Sequence, residues 1–195
     1  MEFKYFLDNS SGWAGVSFKS GSFSEVYQVS YCLGDNLTDL LGGTIALFNI
    51  NGESKINSEL EDKYLDENDI FRWVIDQEGS IIKFIFSLTN DTKRINLQII
   101  EYYEEEECVF NEEIDTIELL DNIIESCNEI LTKYGIIGYY NNFWIEFPIL
   151  YFLLLKNYDK RQLIFDTFEE KCPHNKIVEM HKTNLNIELN YLANK

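Results

Sequence analysis

The sequence predicts an α+β fold in which an antiparallel β-sheet meander carries helices packed on one face. Two patterns lead to this prediction. Apolar and polar residues alternate in several short stretches that are joined by turn-like sequences. Elsewhere apolar residues recur every three or four positions, as they do on one side of an α-helix. We expect residues 1–195 to form a single α+β domain, with residues 172–195 at most a peripheral tail.

The first half of the chain contains two strand regions separated by a helix. Residues 1–31 and 71–103 alternate in hydrophobicity around short turn-like segments, so both are predicted to form antiparallel strands. Between them, apolar residues at helical spacing predict a helix over 33–48, with Asp35 near its start as a cap. Residues 51–69 are polar and acidic and are predicted to form a loop.

The second half is predicted to be mainly helical. After the run Glu104–Glu107 the pattern becomes helical, and an apolar stripe over 119–134 predicts an amphipathic helix that stops at Gly135. A buried helix is predicted over 148–158 and a short helix over 160–170. The rest of the tail fits either a helix or a strand.

The charge balance restricts the class of partner. The chain has 34 acidic and 16 basic residues, a formal net charge of −18 and a pI of about 4.4. This balance argues against binding nucleic acid or an anionic membrane surface, and it favours a basic macromolecular partner. An aromatic content of 15% excludes a disordered acidic tail. We expect a cytoplasmic protein with reduced thiols, because the start lacks a signal-peptide pattern and the four cysteines form no C-x-x-C pair.

No motif specifies a reaction. Nucleotide-binding loops, the nucleophile elbow and the zinc-protease helix motif are all absent, so we predict no catalytic residue, no cofactor and no metal. The alternative is a carboxylate- or metal-dependent hydrolase, in which Cys172, His174 and His181 supply zinc ligands. Spacing of that kind is more often accidental. Asp35 and Asp39 could also act as paired carboxylates, although helix capping explains them equally well.

Several cysteine and aromatic positions have a structural explanation. Cys127 lies in an apolar helical stripe and is expected in the core. Trp73 and Trp144 are also expected to be core residues rather than binding anchors. The pairs Tyr102–Tyr103 and Tyr139–Tyr140 are the better interface candidates, because adjacent aromatic residues cannot all point inward.

The strongest functional signal is an acidic stretch over 95–132, which contains twelve acidic residues and no Lys or Arg. The ordinary interpretation is a solvated face that keeps the protein soluble. Concentrated like charges destabilise a fold, however, and a cationic partner would offset that cost. We therefore predict a partner-binding surface, with neighbouring tyrosines as anchors. It comprises Glu101, Tyr102, Tyr103, Glu104, Glu105, Glu106, Glu107, Glu112, Glu113, Asp121 and Glu125.

The segment from Ser30 to Leu41 resembles a helix opening of immunity proteins from bacterial contact-dependent growth-inhibition and other polymorphic toxin systems. As in those proteins, an acidic loop, a Trp-bearing strand (Phe71–Ile75) and two amphipathic strands follow it. The resemblance is one of layout and spans residues 25–155.

This resemblance implies a non-enzymatic cytoplasmic protein that binds and neutralises a cognate toxin domain in a one-to-one complex. Many such toxins are nucleases, which are basic because they grip phosphate. A further alternative with the same acidic surface is an inhibitor that mimics nucleic acid. The oligomeric state stays open.

Overall fold

The computed structural model describes residues 1–8, 13–30, 34–50, 55–91, 93–158, 166–171, 177–182, 189–190 and 192. The chain groups into two compact units, Met1–Leu155 and Lys156–Lys195, and each is described by itself. The fold class is α+β with antiparallel sheets and helices packed against them, as predicted from the sequence. The expectation of a single domain stays a prediction.

The first unit contains two antiparallel sheets. One has three strands in the order β1 (Glu2–Leu7), β2 (Trp13–Ser20) and β3 (Phe23–Ser30). The other has four strands in the order β4 (Phe71–Asp76), β5 (Ile81–Leu88), β6 (Arg94–Tyr102) and β7 (Glu106–Asp115). The first six strands fall within the predicted strand regions. The prediction that the chain turns helical directly after Glu107 is wrong, because β7 comes first.

Two features of β7 explain why its sequence does not look like a strand. The register between β6 and β7 shifts between Ile99 and Ile100, so a bulge interrupts the alternation. In addition, Glu112 lies between the buried residues Phe110 and Ile114 in the alternating pattern, yet it is exposed. In the described part of the chain β7 is an edge strand with β6 on one side only, and an edge strand tolerates such a charge.

The core of this unit lies where the apolar faces of the two sheets meet. Phe3 of β1 and Trp73 of β4 are both about 1% exposed, and their ring centroids are 6.2 Å apart. Tyr27 of β3 packs edge-on against Phe84 of β5 at 5.6 Å. Aromatic pairs in such tilted and edge-to-face arrangements add to the free energy gained by burial.

The described part of the chain also contains the helices α1 (Asn36–Leu47), α2 (Lys55–Tyr64), α3 (Thr116–Phe143) and α4 (Ile149–Tyr158). Helices α1, α3 and α4 correspond to predicted helices. The predicted loop over 51–69 is wrong, because α2 occupies residues 55–64. Its apolar positions Ile56, Leu60 and Tyr64 are spaced by four and face the fold, but the acidic residues between them obscure this pattern.

Helix α1 is fixed to the second sheet at its N-terminus. The Asp35 carboxylate accepts a hydrogen bond from the Thr38 backbone N–H at 3.2 Å and caps the helix as predicted. The indole N–H of buried Trp73 donates to the Asn36 carbonyl at 2.9 Å. Further along, Gly43 lies directly against the ring of Phe71, and a side chain at this position would overlap it. The glycine allows α1 to approach the sheet closely.

Helix α3 packs along β1, which pairs with β2 alone among the described strands. The backbone N–H of Tyr5 donates to the Ser126 hydroxyl at 3.1 Å, and this hydroxyl donates to the Asn122 carbonyl at 2.8 Å. Cys127 is buried in the apolar stripe of α3, as predicted. Gly135 has φ 66° and ψ 176°, so the helix breaks at the predicted stop, but helical structure resumes and continues to Phe143.

The second unit contains the antiparallel pair β8 (Asp166–Lys171) and β9 (Ile177–Lys182). The predicted helix over 160–170 is therefore wrong for residues 166–170, and its beginning lies outside the described residues. The strand over 177–182 excludes the helical interpretation for that part of the tail, and residues 189–190 are helical, whereas most of the alternating stretch 185–191 lies outside the described residues.

Candidate partner-binding surface

The hairpin that joins β6 to β7 carries six of the eleven residues predicted to bind a partner. We call residues Tyr102–Glu107 the acidic hairpin. Tyr102 and Tyr103 are 41% and 60% exposed, and the four glutamates that follow them are all exposed. The structure thus brings two accessible aromatic rings and four carboxylates together at one turn.

One cation from the sheet contacts the acidic hairpin. Lys83 lies on β5, opposite Ile100 of β6, and its ammonium group forms an ion pair with Glu106. The pair is partly exposed, so solvent screens it and its contribution to stability is small. It nevertheless leaves the hairpin strongly negative, since one lysine faces four glutamates.

Glu101 lies at the base of the acidic hairpin and is half-buried rather than exposed. Its carboxylate accepts a hydrogen bond from the Tyr27 hydroxyl at 2.9 Å, which ties β3 to the end of β6. Burial of the hydroxyl, this hydrogen bond and the negative charge of Glu101 together raise the pKa of Tyr27 well above its usual value. Glu101 therefore positions the hairpin within the fold.

Glu112 and Glu113 are both exposed on β7, but they point to opposite faces of the sheet. Glu112 is paired with buried Leu97, whereas Glu113 is paired with Asn96. On that second face, Arg94 lies 4.0 Å from the Glu113 carboxylate and donates to the Glu113 carbonyl. The prediction that both residues belong to one acidic surface is therefore wrong, because a single partner-facing side of the sheet can include only one of them.

Asp121 and Glu125 are exposed on α3, a different element from the acidic hairpin. Glu125 borders a shallow cavity at the junction of α3 and β1, which is also lined by Glu2, Lys4 and Glu129. The Lys4 ammonium group lies 2.5 Å from the Glu129 carboxylate. The charge of this region is thus partly neutralised by a cation from β1.

A groove that no sequence pattern predicted lies between the start of α1 and the connection from α3 to α4. It has a volume of about 500 Å³ and is lined by Asp35, Thr38 and the segment Ile145–Tyr151. Trp144, which directly precedes this segment in the sequence, is 64% exposed, so the prediction that it is a core residue is wrong, whereas Trp73 is buried as predicted. A signal was present, because Tyr134–Ile145 contains no charged residue in a chain that is 26% charged.

The idea that Asp35 and Asp39 act as paired catalytic carboxylates gains no support from their contacts. Asp35 caps α1, and burial raises the pKa of its carboxyl although hydrogen bonds from Thr38 partly oppose this shift. Asp39 accepts a hydrogen bond from the Tyr64 hydroxyl at 2.9 Å and lies 3.6 Å from the Lys63 ammonium group. Both carboxylates therefore hold structural elements together.

The side chains of the zinc alternative lie outside the described part of the structure. Cys172 and His174 lie outside the described residues, and His181 belongs to β9, whose side chains are also outside the description. Among the residues that the structure does describe, no group of three or more His, Cys, Asp or Glu side chains could hold a metal ion.

No protein-family model, curated protein or solved structure matches this chain. In the described part of the chain, none of the helices has the length and apolar composition needed to cross a membrane.

Proposed function

We propose that this protein is a cytoplasmic, non-enzymatic immunity protein that binds and neutralises a cognate basic toxin domain through the acidic hairpin. The observation that carries the proposal is the combination of two exposed tyrosines with four exposed glutamates on one turn. Tyrosine supplies contact area at a low entropic cost, and the carboxylates supply long-range attraction. The layout resemblance to polymorphic-toxin immunity proteins supports the same function.

The two kinds of residue have different roles in this proposal. The net charge of −18 attracts a basic surface at a distance and raises the association rate, and salt reduces this effect. Tyr102 and Tyr103 then make short-range contacts that slow dissociation. An interface of roughly 1,600 Å² in total is the standard size for a stable complex of this kind.

Two side-chain contacts help to orient the base of the hairpin. The Tyr27–Glu101 hydrogen bond holds the end of β6, and Lys83 holds the start of β7 through Glu106. Holding the hairpin in its binding geometry before the encounter reduces the entropy lost on binding.

The proposal is tested by capturing the partner and measuring how its association depends on the acidic hairpin. Tagged protein is incubated with a lysate of its source at moderate salt, and a captured basic domain is purified for kinetics. The variant E104Q/E105Q/E106Q/E107Q is expected to lower the association rate by about tenfold or more at low salt. It should also flatten the dependence of that rate on salt.

The matched control removes the same number of charges elsewhere. The variant E59Q/D62N/E67Q/D69N neutralises four exposed carboxylates on and after α2. An equal loss of association rate in both variants would show that net charge alone matters, and the acidic hairpin would not be the binding site. A captured DNA-binding protein that is no toxin would instead favour the nucleic-acid mimic.

The hydrolase alternative has its own test. Elemental analysis of the purified protein should find no stoichiometric metal, and His174→Ala should leave partner binding unchanged. Bound zinc together with a hydrolytic activity that His174→Ala abolishes would overturn the non-enzymatic assignment.

A further inference from the structure

The groove beside Asp35, described above, is a recessed surface in the first unit, and it is formed by different residues from the acidic hairpin. Its volume of about 500 Å³ lies within the range of ordinary ligand sites. One wall is the start of α1 with Asp35 and Thr38, and the other is the segment Ile145–Tyr151.

Both walls are held in place by buried contacts. Asp35 is bonded to the backbone of Thr38, and the Asn36 carbonyl accepts the Trp73 indole N–H. On the other wall, Phe147 is buried and packs edge-on against the ring of Tyr139 at 5.3 Å. The groove therefore exists before any ligand binds.

The described lining of the groove combines apolar side chains with two carboxylates, those of Asp35 and Glu146, and contains no basic residue. Leu150 belongs to this lining and is 49% exposed. A largely apolar lining with a few polar groups is typical of a binding groove. The carboxylates add a preference for positive charge.

We infer that this groove binds a Lys or Arg side chain presented by an apolar segment of another protein. The apolar part of the segment covers Leu150 and the other apolar side chains of the lining, and the cationic group lies beside the Asp35 carboxylate. A cation there offsets the unfavourable burial of that carboxylate, which a neutral or anionic ligand would worsen. The inference does not depend on the acidic hairpin or on the identity of a toxin.

The test uses short peptides of defined chemistry and the full chain. Amide resonances of Thr38, Glu146 and Leu150 are followed by NMR at physiological salt during titration with acetyl-Leu-Arg-Leu-amide. Two matched peptides separate the contributions. Acetyl-Leu-citrulline-Leu-amide keeps the shape and removes the charge, whereas acetyl-Ser-Arg-Ser-amide keeps the charge and removes the apolar side chains.

We expect saturable shifts at the groove with the Leu-Arg-Leu peptide, and affinities lower by about fivefold or more for both matched peptides. Asp35→Asn should lower the affinity for the Arg peptide to that of the citrulline peptide. This variant keeps α1 capped, because asparagine caps a helix as well as aspartate does. Asp62→Asn removes one exposed charge from α2 and should leave the affinity for the Arg peptide unchanged.

Three results would overturn the inference. The citrulline peptide could bind as tightly as the Arg peptide, which would remove the role of charge. The Ser-Arg-Ser peptide could bind equally, which would indicate general attraction to an acidic protein. Finally, the groove resonances could stay unchanged while the protein sediments as a dimer, in which case a second copy covers the groove.

Discussion

Two regions of the molecule are rich in aromatic residues. In the layer between the two sheets these side chains are buried, whereas in the acidic hairpin they are exposed. Phe84 is fully buried and packs against the rings of Phe3, Tyr27 and Trp73, whereas Tyr103 is 60% exposed. Strand alternation directs the first to the core, and the turn leaves the second in solvent. The comparison separates residues that stabilise the fold from residues available to a partner.

The largest expected loss of stability follows from removing an aromatic ring that is buried between the sheets. Phe84→Ala should lower the free energy of unfolding by about 3 to 5 kcal/mol, because it leaves a cavity between the rings of Phe3, Tyr27 and Trp73. Tyr103→Ala should change it by no more than about 0.5 kcal/mol. Urea denaturation of the two variants measures the difference, and equal losses would show that the hairpin belongs to the core.

The close approach of α1 to the second sheet predicts the next largest effect. Gly43→Ala should destabilise the protein by about 1 to 3 kcal/mol, since the new methyl group overlaps the Phe71 ring, which is itself stacked on Phe86. Gly138→Ala on α3 is the control. There the new Cβ would lie 3.4 Å from the nearest atom, so helix propensity should stabilise the protein by up to about 1 kcal/mol.

Thermal and urea unfolding of both glycine variants check this prediction. If Gly43→Ala stabilised the protein as much as Gly138→Ala, the helix would not contact the sheet as described.

The strands with regular alternation and the helices with a continuous apolar stripe were predictable from the sequence. The failures have physical causes. Helix α2 has only three apolar residues, spaced by four, and the acidic residues between them give the segment the composition of a loop. Strand β7 was missed because a bulge and the exposed Glu112 break its alternation. Local patterns record burial, so elements that bury little are difficult to recognise.

Local sequence patterns also predicted only part of the candidate surfaces. The residues of the acidic hairpin could be singled out because they are consecutive in sequence, but the hairpin itself was not predicted, since the chain was expected to turn helical after Glu107. The prediction that Glu112 and Glu113 share one face was wrong, because strand geometry separates neighbours. The Asp35 groove joins residues more than 100 positions apart, and no sequence spacing reveals such a contact.

A moderate loss of stability is expected from a substitution at the contact between α3 and β1. Ser126→Ala should cost about 1 to 2 kcal/mol, because the backbone N–H of Tyr5 then loses its partner in a buried position. Hydrogen exchange at the Tyr5 amide should accelerate at the same time. Retained stability and unchanged exchange would mean that another group satisfies this amide.

The smallest stability effect depends on pH. Burial raises the pKa of Asp35 in the folded state, so folding favours its protonated form. The penalty for burying the charged form is present at neutral pH and is relieved as the pH falls through the raised pKa towards the ordinary value. Relative to Asp35→Asn, the wild-type protein should therefore gain stability between about pH 7 and pH 4.

Urea midpoints of the two proteins across this range measure the effect. A wild-type protein that loses stability relative to Asp35→Asn on acidification would contradict the direction of the pKa shift.

The central claim is that the acidic hairpin captures a basic partner. It is tested most directly by the association rate of the captured partner as a function of salt, measured for the wild-type protein and for E104Q/E105Q/E106Q/E107Q. The account predicts a rate that falls steeply with salt for the wild-type protein and a lower, flatter dependence for the variant. Identical rates and identical salt dependence would contradict it.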